Sequence, residues 1–158
     1  MSAIKRILVP TDFSHASKAA LNYARELADS LGASLCILHV VEPCPVHPHA
    51  ESCSLPAEYL KHVEQDARIK LEAVLSAEDK QRYNAQLVLL DGPVAQVIVD
   101  YLREHVGIAL VVMATHGRGG VARLTMGSVA DTIVRTAPCP VLTIRASEAT
   151  DAAGGRAA

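Results

Sequence analysis

The 158-residue chain has no tryptophan, a single phenylalanine and four tyrosines. So few rings leave little for nucleic-acid bases to stack on, and a formal net charge of −2 gives no basic field to draw a phosphate backbone. Nucleic acid is not an expected partner. No apolar run approaches the roughly 18 residues that suggest a membrane span. Met1-Ser-Ala-Ile-Lys-Arg6 enters a strand pattern directly, without an apolar leader. The expectation is a soluble, cytoplasmic protein with no membrane partner. Cysteine is sparse and scattered, with Cys36 in an apolar strand pattern, Cys139 between prolines, and Cys44 and Cys53 in one loop. That usage is no disulfide framework and suits a reducing compartment. Gly-x4-Gly-Lys-Ser/Thr is also missing, which removes the phosphate lysine of a P-loop enzyme.

Half of the residues are hydrophobic, enough for one domain to bury a core without disulfides or metal. Strand signals at Ile4 to Val9, Leu35 to Val41, Leu87 to Leu90, Ile108 to Ala114 and Val141 to Ile144 alternate with helical patterns. Such alternation indicates an α/β fold with a parallel sheet. The first helix shows Ala16, Ala19, Ala20, Tyr23, Ala24, Leu27, Ala28 and Leu31 on one face, Ser14 as its cap and Gly32 at its end. A second opens near Pro56 and carries Leu60, Val63, Ala67, Leu71, Val74 and Leu75 inward; a third runs from Val94 through Leu102 to the Gly107 stop.

The most informative segment drives the apolar run Ile108–Ala114 into Thr-His-Gly-Arg-Gly-Gly120 and then Gly127-Ser128. Glycines let backbone N–H groups approach an anion without an intervening side chain. Ser128-Val-Ala-Asp131 has the spacing of a helix N-cap, so a helix is predicted to open at Gly127-Ser128 and to close at Arg135 and Pro138. Its first-turn amides and the positive end of its dipole favour phosphate.

This string resembles the universal stress protein family, whose nucleotide-binding members carry Gly-x2-Gly-x9-Gly-Ser/Thr after the fourth strand. Here it reads Ala114-x2-Gly117-x9-Gly127-Ser128, with alanine for the first glycine. Ile7-Leu-Val-Pro-Thr-Asp-Phe-Ser14, Leu38-His-Val40 and Cys139-Pro-Val-Leu-Thr-Ile144 resemble the family's first, second and last strands. The resemblance implies a three-layer sandwich of the adenine nucleotide alpha hydrolase-like class. Its open five-stranded parallel sheet has order 3-2-1-4-5, with helices on both faces, over residues 1–146. A mobile tail is expected at 147–158.

The resemblance also implies an ATP, ADP or AMP site, with magnesium as an accompanying ion and at most slow hydrolysis. Its residues would be Pro10, Thr11, Asp12, Val40, Met113, Ala114, His116, Gly117, Gly127, Ser128 and Val129. Asp12 would reach the ribose or base, the Val40 backbone the adenine edge, and Gly117, Gly127, Ser128 and Val129 the phosphates. Strand order adds an independent reason, because ligands of open α/β sheets bind where neighbouring strands send their loops in opposite directions. A homodimer through Val141, Leu142, Thr143 and Ile144 is implied as well, since an apolar edge strand invites pairing.

Other readings compete. Asp12 could serve simply to cap the first helix. Arg118 and Arg123 are read as solvated, and His116 lacks a visible orienting partner for catalysis. His39, at the end of an apolar strand, is read as a satisfied half-buried imidazole. Cys44, His47, His49 and Cys53 could in principle surround zinc, but their spacing is no standard finger and a surface loop is preferred. Gly117-Arg-Gly-Gly-Val-Ala122 formally matches a dinucleotide fingerprint, yet no acidic residue follows at the ribose distance. A structural member that binds no nucleotide is the remaining alternative.

Overall fold

A computed structural model of the chain describes residues 4–42, 56–115 and 127–145. Strand β1 (Arg6–Pro10) leads into helix α1 (His15–Leu31), and β2 (Ser34–Val41) follows. Helices α2 (Ala57–Glu72) and α3 (Ala77–Arg82) precede β3 (Gln86–Asp91); α4 (Val94–Glu104) precedes β4 (Leu110–Ala114); α5 (Ser128–Thr136) precedes β5 (Val141–Ile144). All four strand pairings are parallel and the order is β3-β2-β1-β4-β5, as the resemblance implies.

Alternation along the buried strands sends successive side chains to opposite faces. Ile7, Val9, Leu35, Ile37, Leu110 and Val112 meet α1 and α2 through Ala20, Leu21, Ala24, Ala28 and Leu71. Leu8, Cys36, Leu38, Val40, Val111 and Met113 meet α4 and α5 through Ile98, Val99, Leu102, Ala130 and Ile133. The result is three layers, with β1 and β4 side by side in the middle of the sheet.

Helix α1 is delimited as its sequence dictates. The Ser14 side chain accepts from the Ser17 N–H at its start, and Gly32 takes the left-handed conformation, φ 64°, at its end. Its buried stripe is turned from the predicted one, however: Ser17 and Leu21 are buried while Tyr23 and Leu31 are exposed. The row Ala20, Ala24, Ala28 lies flat on the sheet, and its small side chains bring the backbone so close that bulky flanking residues remain at the rim.

The single second helix is also corrected. Helix α2 stops at Glu72, and a new helix starts after Ser76, whose hydroxyl accepts from the Asp79 N–H at 3.1 Å. Helix α3 is tied to α1 by Arg25–Asp79 at 3.0 Å, Arg82–Asp29 at 2.9 Å and the buried Tyr83, whose hydroxyl donates to Asp29 at 3.1 Å. These partners lie more than fifty residues apart in sequence, beyond the reach of helical periodicity. The proposed tail at 147–158 lies outside the described residues, as does the segment carrying Cys44, His47, His49 and Cys53.

Candidate functional site

The chain leaves β1 for one face of the sheet and β4 for the other, so the two central strands part company at their carboxyl ends. Their ladder is short: the paired positions are Ile7 with Leu110 and Leu8 with Val111. On their outer sides, by contrast, β1 pairs with β2 up to Pro10–Leu38, and β4 with β5 up to Ala114–Ile144. Pro10 supplies a reason. The Thr11 N–H donates to Leu38 O at 2.9 Å, which places the peptide groups of residues 9 and 11 toward β2 and those of 8 and 10 toward β4. The next donor toward β4 would be the N–H of residue 10, and proline has none.

The turn after β1 is held from several sides. Thr11 is buried; its hydroxyl donates to Ser17 Oγ at 3.1 Å and accepts from the Phe13 N–H at 3.1 Å. Half-buried Asp12 accepts from the Ser14 N–H through Oδ1 at 3.0 Å, a local turn bond. The N-cap of α1 is Ser14, so the alternative in which Asp12 caps that helix is set aside. Phe13 sits at φ 64°, a region costing a side-chain-bearing residue about 1–2 kcal/mol. Its ring lies 4.3 Å from that of His39, and His39 Nδ1 is 2.7 Å from the Thr11 carbonyl oxygen. A carbonyl only accepts, so Nδ1 carries the proton in this contact.

Val40 belongs to the other side of the same gap. Leu38 turns its peptide groups toward β1, and by alternation so does Val40, two residues on and beyond the last β1 rung. Met113 is buried and Ala114 half-buried at the end of β4. Thr115 then donates its N–H to Ile144 O at 3.0 Å and accepts from the Gly127 N–H at 2.9 Å. The chain therefore returns to its departure point before α5 begins.

Two expectations for α5 change here. Its N-cap is Gly127, with no side-chain cap bond, and Ser128 is the first helical residue, exposed, with its carbonyl accepting from the Thr132 hydroxyl. The predicted cap is displaced by one position because Gly127 is pinned to Thr115. That bond also occupies the Gly127 amide, which consequently is not a phosphate donor in this arrangement. The amides with no acceptor inside the helix are those of the first turn, Ser128, Val129 and Ala130. His116 and Gly117, together with Arg118 and Arg123, lie outside the described residues.

The universal stress protein family model matches residues 3–145, nearly the whole chain. The chain belongs to the universal stress protein family. A universal stress protein of Methanocaldococcus jannaschii is 32% identical over 143 residues, covering 89% of this chain and 82% of that relative. The solved structure of universal stress protein UspA from Lactobacillus plantarum superposes with a TM-score of 0.73 at 28% identity, covering 92% of this chain and all of that one. The universal stress protein of Archaeoglobus fulgidus, solved in complex with dAMP, shares the fold with a TM-score of 0.57 at 20% identity over 90% of this chain and 98% of its own.

Elsewhere this universal stress protein buries a thiol against a phenol: Cys36 Sγ and Tyr101 Oη are 3.6 Å apart between β2 and α4. Burial pushes both groups above their ordinary values, and burial likewise raises half-buried Cys139. All three are therefore neutral at physiological pH. Among the described residues no cluster of His, Cys, Asp and Glu is arranged to hold a metal ion, and no helix is long and apolar enough to cross a membrane. A cavity of about 340 Å³ lined by Val41, Leu60, Glu64, Leu89, Leu90 and Asp91 sits at the ends of β2 and β3, away from the β1–β4 gap. Phe13 and His39 were not among the predicted site residues. The signal for them is a lone phenylalanine next to a turn aspartate, and an imidazole on a strand face otherwise filled by Leu35, Ile37 and Val41.

Proposed function

We propose that this universal stress protein binds an adenine nucleotide, ATP, ADP or AMP, in the gap between β1 and β4 and serves as a nucleotide-dependent component of a stress response. The observation that carries the reading is the early parting of the two central strands, with the amino end of α5 returned by the Thr115–Gly127 bond to the same place. Such a site offers main-chain donors and a helix dipole to phosphate at one end and a carboxylate to the sugar at the other. The dAMP held by the related Archaeoglobus protein supports the ligand class.

In this reading Asp12 accepts from a ribose hydroxyl, since beside the phosphates its charge would repel them. The outward-turned peptide of Val40 meets the adenine edge, while Pro10, Thr11, Met113 and Ala114 form the walls. Ser128 and Val129 donate to phosphate together with the segment containing His116 and Gly117. Gly127 serves by close passage rather than as a donor. Magnesium accompanies the nucleotide as counter-charge. No general base is assigned, so turnover is slow at most, and the protein acts by binding. The dinucleotide fingerprint loses ground, because the acidic residue it needs about 20 positions further on is missing from Val141-Leu-Thr-Ile-Arg145.

Titration calorimetry with ATP and AMP tests the proposal. Saturable binding of both below millimolar concentration is expected, with ATP the tighter. Absence of heat and of saturation at millimolar nucleotide would leave a structural or interaction role instead.

A further inference from the structure

We propose that His39 is a positioning residue for this crevice: through the Thr11 carbonyl and the Phe13 ring it holds the left-handed turn that sets Asp12 in place. The inference rests on the nucleotide reading above and assigns a role within that same site.

Phe13 is the starting point. An aromatic residue at φ 64° persists only where its surroundings over-determine it. The restraints fall on both sides of Asp12. Before it, Thr11 is bonded through its N–H to Leu38, through its hydroxyl to Ser17 and through its carbonyl to His39 at 2.7 Å. After it, the Phe13 ring rests on the His39 ring at 4.3 Å with the planes 37° apart. One side chain, rooted in β2, thus grips the residue before the aspartate and the residue after it.

A leucine at position 39 would satisfy the strand equally well. His39 shares its face with Leu35, Ile37 and Val41, and its register partner is Leu89 of β3. Imidazole adds over leucine a donor to Thr11 and a flat surface for Phe13, and these two contacts act on the turn. Its influence should therefore appear at the nucleoside end of the crevice. The phosphate end, built on α5 and the Thr115–Gly127 bond, should be left alone.

The test uses His39→Leu, which keeps apolar volume, and His39→Asn, whose amide N–H reaches the place of Nδ1. In His39→Leu, ATP and AMP should both weaken by the same factor, roughly three- to tenfold for one lost hydrogen bond. Their affinity ratio should stay at the wild-type value, because the phosphate end is untouched. His39→Asn should recover most of the loss. In ligand-free protein, the NMR backbone shifts of Phe13 should leave their left-handed values in His39→Leu alone. Wild-type affinity in His39→Leu, a changed ATP to AMP ratio, or no rescue by His39→Asn would each overturn the role. If wild-type protein binds no nucleotide while the Phe13 shifts still move, the nucleotide reading has failed and the clamp on the turn stands by itself. If nucleotide binds and the shifts do not move, the clamp has failed and the reading stands.

Discussion

At Gly127 a β-carbon would lie 3.3 Å from the Thr115 carbonyl oxygen, the atom that accepts the Gly127 N–H. A branched side chain must push that carbonyl away, which shifts the start of α5 while the β-carbon itself meets no core side chain. Gly127→Val is therefore expected to weaken ATP binding by about tenfold or more, the equivalent of ~1.4 kcal/mol, while the thermal midpoint stays within a few degrees. Calorimetry beside a melting curve checks both halves. Asp12→Ala should cost about 1.5–3 kcal/mol of nucleotide affinity, as for a hydrogen bond to a charged group, and should affect AMP and ATP alike. A variant that discriminates between them would move Asp12 to the phosphate end. Cys36 gives a prediction in pH. Its thiol is raised in the fold above 9.0, so on alkalinisation the unfolded chain loses its proton first. Stability is unaffected below about pH 9 and falls as the pH climbs toward the raised folded value, because there the native state binds more protons. Tyr101, raised above 10.0, adds the same sign at higher pH. Urea midpoints between pH 8 and 10 should fall less steeply in Cys36→Ala than in wild type.

Helix boundaries follow from short-range chemistry and are correspondingly easy to perturb. Ser14→Ala removes the acceptor for the Ser17 N–H, and about 1 kcal/mol should be lost from α1, measurable by chemical denaturation. The same variant disturbs the hydroxyl group around Ser17, which also receives the Thr11 donor, so nucleotide affinity should fall with it. At this scale the text of the chain was legible where the signal was local: Ser14 and Gly32 bound α1, and the helix after the glycine loop starts within one position of where its spacing implies. It was not legible where the answer depended on a distant partner. Nothing near Tyr83 announces its hydrogen bond to Asp29, and the burial of Leu21 in place of Tyr23 depends on how closely three alanines let α1 approach the sheet.

For the whole molecule, strand order leaves β3 and β5 at the two margins of the sheet. Strand β5, Val141–Ile144, is half-buried throughout and carries no charge. An uncharged apolar margin is a template for pairing, and we propose that a second copy covers it across a two-fold axis. Light scattering at micromolar concentration should report a dimer, and Thr143→Lys, which sets a charge in mid-strand, should shift it to monomer. A monomeric wild type would remove the proposal. The proposed dimer and the proposed crevice are separable in function, since β5 touches the crevice through its backbone pairing with β4 and the Thr115–Ile144 bond, which a side-chain change leaves in place. Thr143→Lys should accordingly retain nucleotide binding.

The alternation of strands and helices and the class of fold were determined by the sequence, because both are written in local periodicity, caps and turn residues. Tertiary structure alone decided that Pro10 withholds a donor from β4, that the Gly127 amide is spent on Thr115, and that His39 sits beneath Phe13. Each of those is a relation between segments distant in sequence. Which peptide faces which neighbour is set by pairing order and register, and neither exists until the sheet has formed.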